Sequence, residues 1–233
     1  MKLGIFTDSH YSSHALTGGN RYNNQSLRKI REAYAAFEEA HCDLIICLGD
    51  LTDIEDSHQK EADNLREIAK IIQASLLPTI CLMGNHDAFA FEKDEFYDIL
   101  GGCIPENREI CGKQLIFIDA CYFGNGTHYT PDDDPSRWKE TCCPFADELK
   151  QELAETQQET YVFVHQNIDP NIREDHRLDN SAQIFEILQS SGNVKAVFQG
   201  HYHPGKESEH DGIRYTTFPA MCERENAFFI LTL

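Results

Sequence analysis

Side chains that commonly bind metal ions follow five short apolar segments of the chain. Each segment has the composition of a buried strand that ends in a loop, and the segments are 3–6, 44–48, 78–83, 161–164 and 194–198. Loops at the carboxyl ends of such strands carry the chemistry of open α/β sheets. The ligand-type residues in these loops are Asp8, His10, Asp50, Asn85, His165, His201 and His203.

Two pairs among these residues have a spacing that favours a shared site. Asp8 and His10 are two positions apart, as are His201 and His203, so an extended backbone would point both members of a pair to one face. Either pair alone is common by chance, but ligand types at five strand ends are not. We therefore predict a metal centre assembled from several strand ends.

The chemical types of these side chains indicate the metals and the reaction to expect. A carboxylate can bridge two cations through its two oxygens, and neutral imidazoles add ligands without adding charge. Mixed imidazole, carboxylate and amide ligands favour manganese, iron or zinc over calcium and magnesium. Two such ions about 3.5 to 4 Å apart can clamp a phosphoryl group and lower the pKa of a bridging water. Hydrolysis of a phosphate ester is the expected reaction.

The segments between these strands predict an alternating α/β chain. Apolar residues recur at helical spacing, and the order β-α-β-α-β in the first half favours parallel neighbouring strands. A further strand is predicted at 115–118. Helices are predicted at about 26–41, around 65–72, near 92–100, at 145–153 and at 181–190.

The chain contains no linker-like segment, so we predict one domain over residues 1–233. Within it, residues 121–144 lack periodicity and are interpreted as an active-site insert or lid. The last two apolar segments, 212–218 and 227–232, have no helix between them, and we predict them to be antiparallel strands.

Charge and composition exclude several classes of partner. The net charge is −19, which argues against nucleic-acid binding because no basic stripe is present. No apolar run approaches the roughly 20 residues that a membrane span needs, and no signal-peptide core precedes the first strand. The nine cysteines are odd in number, and Cys47 and Cys81 lie inside predicted strands. We therefore expect reduced thiols and a cytoplasmic location.

Taken together, the motifs resemble those of the calcineurin-like metallophosphoesterase superfamily. In order they read Asp-x-His, Gly-Asp-x-x-Asp, Gly-Asn-His-Asp, a lone His and Gly-His-x-His, over residues 8–203. The resemblance implies an α/β fold in which two mixed β-sheets pack face to face and are flanked by helices, in four α/β/β/α layers. It also implies two divalent transition-metal ions, manganese first, with iron or zinc as alternatives. One ion would be held by Asp8, His10, Asp50 and His203, and the other by Asp50, Asn85, His165 and His201.

The same resemblance implies a catalytic role for His86. Because Asn85 takes the ligand position, His86 would face the substrate and stabilise phosphoryl oxygens or protonate the leaving group. Asp53 would orient the His86 imidazole. A second interpretation of Asp53 is a carboxylate at the N-terminus of the next helix. Asp87 is expected to support the loop.

Local segments resemble two branches that act on nucleotides. The Arg21-Tyr22 pair, the strand end at 117–120 and the segment 200–205 resemble manganese-dependent ADP-ribose and CDP-alcohol diphosphatases. His10 stands where that branch usually has glutamine and favours the cyclic-nucleotide phosphodiesterase branch. Arg21 is a candidate bidentate ligand for a substrate phosphate, and a surface arginine beside the first helix is the alternative.

We therefore expect a binuclear phosphohydrolase that cleaves phosphodiester or diphosphate bonds of small nucleotide-type substrates by metal-activated hydroxide attack. Four aromatic residues are expected either to flank the substrate or to belong to the core. They are Tyr22, Tyr122, Phe123 and Trp138. The alternatives are a phosphomonoesterase or protein phosphatase, which phosphopeptide hydrolysis would reveal, and a noncatalytic metal-binding scaffold, which would show no turnover with any divalent metal.

Overall fold

The computed structural model describes residues 1–233 and divides ten strands between two sheets. The smaller sheet has the order β10-β1-β2-β3, and the larger has the order β4-β5-β6-β7-β9-β8. The strands are β1 (Lys2–Phe6), β2 (Leu44–Cys47), β3 (Thr79–Cys81), β4 (Arg108–Ile110), β5 (Lys113–Ile118), β6 (Glu159–Val164), β7 (Val194–Gln199), β8 (Lys206–His210), β9 (Ile213–Thr217) and β10 (Phe228–Thr232).

Helices cover the outer faces of both sheets. Apolar residues of α1 and α2 pack against the smaller sheet, and those of α5 and α6 pack against the larger sheet. The helices are α1 (Ser26–Glu39), α2 (His58–Ala74), α3 (Asn85–Ala90), α4 (Lys93–Leu100), α5 (Ala146–Glu155) and α6 (Ser181–Ser191). None of them combines the length and the apolar character that a membrane span needs.

The two sheets pack face to face, and the strand period of two decides which residues meet. In β6, Tyr161 and Phe163 belong to the core between the sheets, whereas Val162 and Val164 face the helices of the larger sheet. In β1, Leu3 and Ile5 lie in the core between the sheets. The four-layer α/β/β/α arrangement of two mixed sheets flanked by helices is therefore confirmed.

The prediction for the two terminal strands is wrong in its pairing. We expected them to be antiparallel to each other, but they belong to different sheets. β9 runs parallel to β7 and antiparallel to β8, while β10 runs antiparallel to β1. The partner of β9 was missed because β8 reads Lys-Glu-Ser-Glu-His, an edge strand without the apolar residues that mark a buried one.

Part of the segment 121–144 packs beside the ligand loops. Tyr129 is fully buried, and its ring stacks on Phe89 of α3 with the centroids 4.4 Å apart. Asp134 caps a short 3-10 turn, Pro135–Arg137, by accepting a hydrogen bond from Ser136 N. Trp138 follows this turn and faces the ligand loops.

Candidate metal centre

The seven ligand-type side chains predicted from the sequence meet in one buried cluster. They come from loops after β1, β2 and β3 of the smaller sheet and after β6 and β7 of the larger sheet. The cluster therefore lies where the carboxyl ends of both sheets approach each other. Four of the residues form one side of the cluster.

On this side, three side chains surround His10. Its Nε2 atom lies 3.7 Å from Asp8 Oδ1, 3.5 Å from Asp50 Oδ2 and 3.2 Å from His203 Nε2. His203 Nε2 is also 3.4 Å from Asp8 Oδ1. These four residues are the first ligand set that the family resemblance implied.

On the other side, His165 and His201 approach Asp50. The ligand atoms of these three buried residues lie within 4.8 Å of one another, and His165 Nε2 is 3.2 Å from Asp50 Oδ2. His165 Nδ1 lies 2.8 Å from the Leu48 carbonyl oxygen. The carbonyl can only accept, so Nδ1 carries a proton and Nε2 is the atom that faces the cluster, where it could bind a metal ion.

Asp50 belongs to both sides through a single oxygen. Oδ2 faces His10 at 3.5 Å and His165 at 3.2 Å. The other oxygen, Oδ1, accepts a hydrogen bond from His86 N at 2.9 Å. This second contact fixes the orientation of the carboxylate, so Oδ2 is held between the two groups of imidazoles.

The backbone that carries these ligands is not extended, contrary to our expectation for the Asp8 and His10 pair. Asp8, His10, Asp50 and His201 have φ values of 51°, 43°, 53° and 65°, in the left-handed region that non-glycine residues rarely adopt. Such conformations cluster at functional sites, where the surrounding structure must stabilise them. The side chains still converge, but through tight turns rather than through strand alternation.

Glycines in the motifs allow these turns to approach one another. Gly49 has φ 107°, and a Cβ atom there would lie 2.6 Å from Gly84 N. A Cβ on Gly84 would lie 2.1 Å from Asp50 Oδ1. Both positions exclude any larger residue, because the contact atoms belong to backbone or to the buried Asp50 carboxylate.

Several atoms of the cluster lack a hydrogen bond, which is the pattern expected of metal ligands. Asp8 Oδ1, Asn85 Oδ1 and His165 Nε2 are buried and have no hydrogen-bond partner in the protein. Buried polar atoms without partners are costly and rare. The residues present therefore fit a pair of divalent cations, whose coordination would satisfy these atoms.

The charges of the cluster also suit cations. Burial lowers the pKa of His165, but the Asp50 carboxylate outweighs this effect and raises it to about 10. Burial likewise lowers the pKa of His203, while its contacts with the Asp8 and Glu223 carboxylates raise it to about 9. Burial and the neighbouring His86 lower the pKa of His10 to about 4, which keeps its imidazole neutral. The buried carboxylates thus favour protonation of the neighbouring imidazoles. Bound metal ions would take the place of these protons.

His86 and Asp53 adjoin the cluster as a pair. His86 Nδ1 lies 2.9 Å from Asp53 Oδ1, and the His86 ring packs edge-on against His10 with centroids 4.5 Å apart. Asp53 Oδ2 accepts hydrogen bonds from Asn23 Nδ2 at 2.7 Å and Thr17 Oγ1 at 3.0 Å. Helix α2 begins only at His58, so the interpretation of Asp53 as a carboxylate at that helix N-terminus is wrong.

Asp87 supports the loop, as expected. Its carboxylate accepts hydrogen bonds from the backbone N–H groups of Leu51, Thr52 and Gly84, each at 3.1 Å. These bonds tie the loop after β3 to the loop after β2. The arrangement leaves Asp87 no free oxygen for a reaction with substrate.

Arg21 and Trp138 border a cavity of about 470 Å³ above the ligands. Arg21 Nη1 lies 3.5 Å from Asp53 Oδ2, which places Arg21 beside the site rather than on a remote surface. Among the four aromatic residues singled out in the sequence, only Trp138 lines this cavity. Phe123 is buried in the core, and Tyr122 packs edge-on against Phe145.

The sequence analysis missed three residues that contact the ligands. Glu223 Oε1 lies 2.5 Å from His203 Nδ1, and Asn23 Nδ2 donates to the His10 carbonyl at 2.7 Å. Cys222 is buried, and its sulfur lies within 4.8 Å of a ring nitrogen of both His10 and His203. None of the three belongs to a motif with characteristic spacing, so only the fold brings them to the site.

The family profile of the calcineurin-like phosphoesterases matches residues 1–205. The chain belongs to this family and is a phosphoric ester hydrolase. It is 28% identical over 236 residues to the 3',5'-cyclic adenosine monophosphate phosphodiesterase CpdA of Haemophilus influenzae, covering 95% of this chain and 77% of that protein. The Escherichia coli CpdA is 24% identical, with 93% of this chain and 74% of that protein covered.

Solved structures share the fold at low sequence identity. A dimetal phosphatase from Danio rerio superimposes with a TM-score of 0.81 at 14% identity, covering 95% of this chain and 88% of that one. The phosphopantetheinyl hydrolase of Mycobacterium tuberculosis gives a TM-score of 0.61 at 13% identity, covering 99% and 95%. These similarities agree with the two-sheet architecture described above.

Proposed function

We propose that the protein is a binuclear phosphohydrolase that cleaves phosphodiester or diphosphate bonds of small nucleotides. The observation that supports this most directly is the position of Asp50 Oδ2, 3.5 Å from His10 Nε2 and 3.2 Å from His165 Nε2. A carboxylate oxygen between two groups of imidazole ligands is suited to two cations rather than one.

The two ligand sets would overlap at Asp50. When bound, two divalent ions supply Lewis acidity that polarises a phosphoryl oxygen and acidifies water. We propose manganese as the working metal, with iron or zinc as alternatives, because imidazole, carboxylate and amide groups are mixed in both sets. The proposed ligands are Asp8, His10, Asp50 and His203 for one ion, and Asp50, Asn85, His165 and His201 for the other.

The chain itself would contribute proton transfer and orientation. We propose that His86 donates a hydrogen bond or a proton to the oxygen that leaves the phosphorus. Asp53, 2.9 Å from His86 Nδ1, would keep the ring's other nitrogen directed at that oxygen. Asn23 and Thr17 hold Asp53 in place through its second oxygen.

Nucleotides are supported as substrates by charge and by the relatives. The cavity above the ligands is lined by three cationic residues, Arg21, Lys139 and Arg173, although the whole chain carries a net charge of −19. These cations can pair with a small anionic substrate, although Asp50, Asp175 and Glu223 line the same cavity. The overall acidity of the chain disfavours long polyanions such as nucleic acid. The two CpdA relatives are named as cyclic-nucleotide phosphodiesterases.

We also propose a cytoplasmic location. All nine cysteines are free, and six of them are buried. Unpaired thiols in this number suit a reducing compartment.

A comparison of two 4-nitrophenyl esters tests the proposal. The protein is reconstituted with Mn²⁺, and kcat/KM is measured for bis(4-nitrophenyl) phosphate and for 4-nitrophenyl phosphate. Both esters release the same alcohol, so the difference reports the preference between diester and monoester. We expect the diester to have the higher kcat/KM. We also expect the protein to turn over cyclic AMP or ADP-ribose. A higher value for the monoester would instead identify a phosphomonoesterase.

A further inference from the structure

Trp138 borders two cavities that meet at His86. The first is the cavity of about 470 Å³ above the ligands, and the second has a volume of about 410 Å³. Four residues line both of them: Arg21, Asn85, His86 and Trp138. A substrate that reaches the ligands can therefore extend past His86 into the second cavity.

The two cavities differ in chemical character. The first contains Lys139 and Arg173, which both contact Asp175, at 3.4 Å and 2.7 Å. It also contains the ligand residues His201 and His203. Cations and ligands together make the first cavity the place for the phosphoryl group.

The second cavity presents apolar walls. Ile54, Phe89, Ala90 and Pro135 line it together with the ring of Trp138. Its charged lining residues are Glu61 and Arg21, and Asp53 Oδ2 lies 3.5 Å from Arg21 and partly neutralises it. Such walls favour an uncharged group over an anionic one.

Two features suggest that this second cavity is formed for a ligand. Ile54 is 52% exposed, so part of its apolar surface is available to a bound group. Phe89 is held by Tyr129, whose ring stacks on it with centroids 4.4 Å apart. The second cavity is therefore lined by one firmly packed aromatic ring, that of Phe89, and by the partly exposed side chain of Ile54.

We propose that the second cavity binds an uncharged aromatic group of the substrate, such as a nucleobase or an aryl ring, attached through the ester oxygen that passes His86. This inference rests on the proposed function and narrows its substrate class to phosphate esters with a flat apolar substituent. The reacting phosphoryl group remains in the first cavity, with Lys139 and Arg173 at its outer side.

The chain offers a spectroscopic probe, because Trp138 is its single tryptophan. Protein loaded with Zn²⁺, which does not quench indole emission, is titrated with adenosine while Trp138 fluorescence is recorded. Adenosine carries the aromatic group without a phosphate, so binding is measured apart from hydrolysis. A protein that binds adenosine but does not cleave diesters would contradict the proposed function and not this inference.

Two matched variants localise the binding. Ile54→Ala removes three carbons from the mouth of the second cavity, whereas Ile104→Ala makes the same change at a side chain that is 46% exposed and lies outside both cavities. We expect saturable fluorescence quenching, a dissociation constant raised roughly tenfold in Ile54→Ala, and no change in Ile104→Ala.

Inorganic phosphate separates the two cavities. Because phosphate should occupy only the first cavity, saturating phosphate should leave the adenosine affinity unchanged. The proposal is overturned if adenosine gives no saturable response, if both variants bind it equally well, or if phosphate displaces it.

Discussion

Asp53 Oδ1 lies 2.9 Å from His86 Nδ1, so the last residue of the Gly-Asp-x-x-Asp motif contacts the histidine of the Gly-Asn-His-Asp motif. Burial raises the pKa of Asp53, but the contact with His86 outweighs it and holds that pKa well below its usual range. The carboxylate is therefore charged whenever the imidazole must be oriented. The two motifs act as one unit in this structure.

A double-mutant cycle tests this unit. We expect His86→Ala to lower kcat roughly 100-fold, the usual scale for a positioned acid or base, and Asp53→Asn to lower it less. The double variant should be no slower than His86→Ala alone, because Asp53 acts through the ring. Steady-state kinetics with a diester measure all three. Loss of a metal ion in His86→Ala would show that His86 is itself a ligand.

Metal content tests the shared role of Asp50. Asp50→Ala removes the oxygen that lies between the two ligand groups, so both ions should be lost together. His165→Ala should weaken the binding of one ion only. Elemental analysis after dialysis gives the number of ions per chain, with circular dichroism as the check on folding. Retention of two ions in Asp50→Ala would rule out a bridging role.

Glu223→Gln tests the contact with His203. The glutamine keeps a hydrogen-bond acceptor near His203 Nδ1 but removes the charge that makes the imidazole a stronger ligand. We expect the affinity for one of the two ions to fall roughly 10-fold to 100-fold, measured by competition with a chelator. Glu225→Gln is the matched control, because Glu225 pairs with Arg28 on the surface. Equal metal affinity in both variants would make the Glu223 contact dispensable.

Arg21→Ala tests substrate recognition. Arg21 borders both cavities and is held by Asp53, so its loss should lower kcat/KM for a diester by roughly tenfold. Arg66→Ala, an exposed arginine of α2 that pairs with Asp63, serves as the control. Unchanged diester kinetics in Arg21→Ala would leave Arg21 without a role in binding.

The pH dependence of stability tests how the insert is anchored. Asp119 Oδ2 lies 2.6 Å from Lys93 Nζ, and Asp119 Oδ1 accepts a hydrogen bond from Cys121 N. Burial raises the pKa of Asp119, but the contact with His128 at 3.4 Å and the charge of Lys93 outweigh it and lower the pKa to about 2. Because the folded pKa lies below the unfolded one, the stabilisation is present above about pH 4 and is lost as pH falls towards 2.

We expect Asp119→Asn to lower the free energy of unfolding at neutral pH by about 2 kcal/mol and to flatten its decline between pH 4 and pH 2. Urea unfolding at a series of pH values measures both effects. Asp132→Asn, on the exposed part of the insert, is the control. An unchanged slope in Asp119→Asn would show that other carboxylates dominate acid unfolding.

The convergence of the ligand-type residues and the layered α/β plan could be predicted because both depend on local patterns. An apolar run that ends at Gly49 and Asp50, or at Gly84 and Asn85, marks a strand end in the sequence itself. The parallel order β1-β2-β3 follows from the helices between these strands.

Other features depend on long-range contacts that no local pattern records. Glu223 reaches His203 through the loop after β9, and the polar strand β8 is recognisable only beside its partner. The left-handed backbone at Asp8 and His10 also could not be predicted, since residue types there are compatible with a strand. Trp138 lies at the site because the segment 121–144 packs on α3. The sequence of α3 itself resembles that of a loop.

The metal centre joins residues that are distant in the chain, as the 3.2 Å contact between His10 and His203 across 193 positions shows. In addition, β1 lies between β2 and β10, so the strand that leads to Asp8 gains its second neighbour from the last strand of the chain. Neither proposed ligand set can therefore be complete until the loop after β7, which carries His201 and His203, packs against the smaller sheet. We therefore expect the proposed ions to bind after the two sheets have packed together, unlike in small zinc domains, where the ion nucleates the fold.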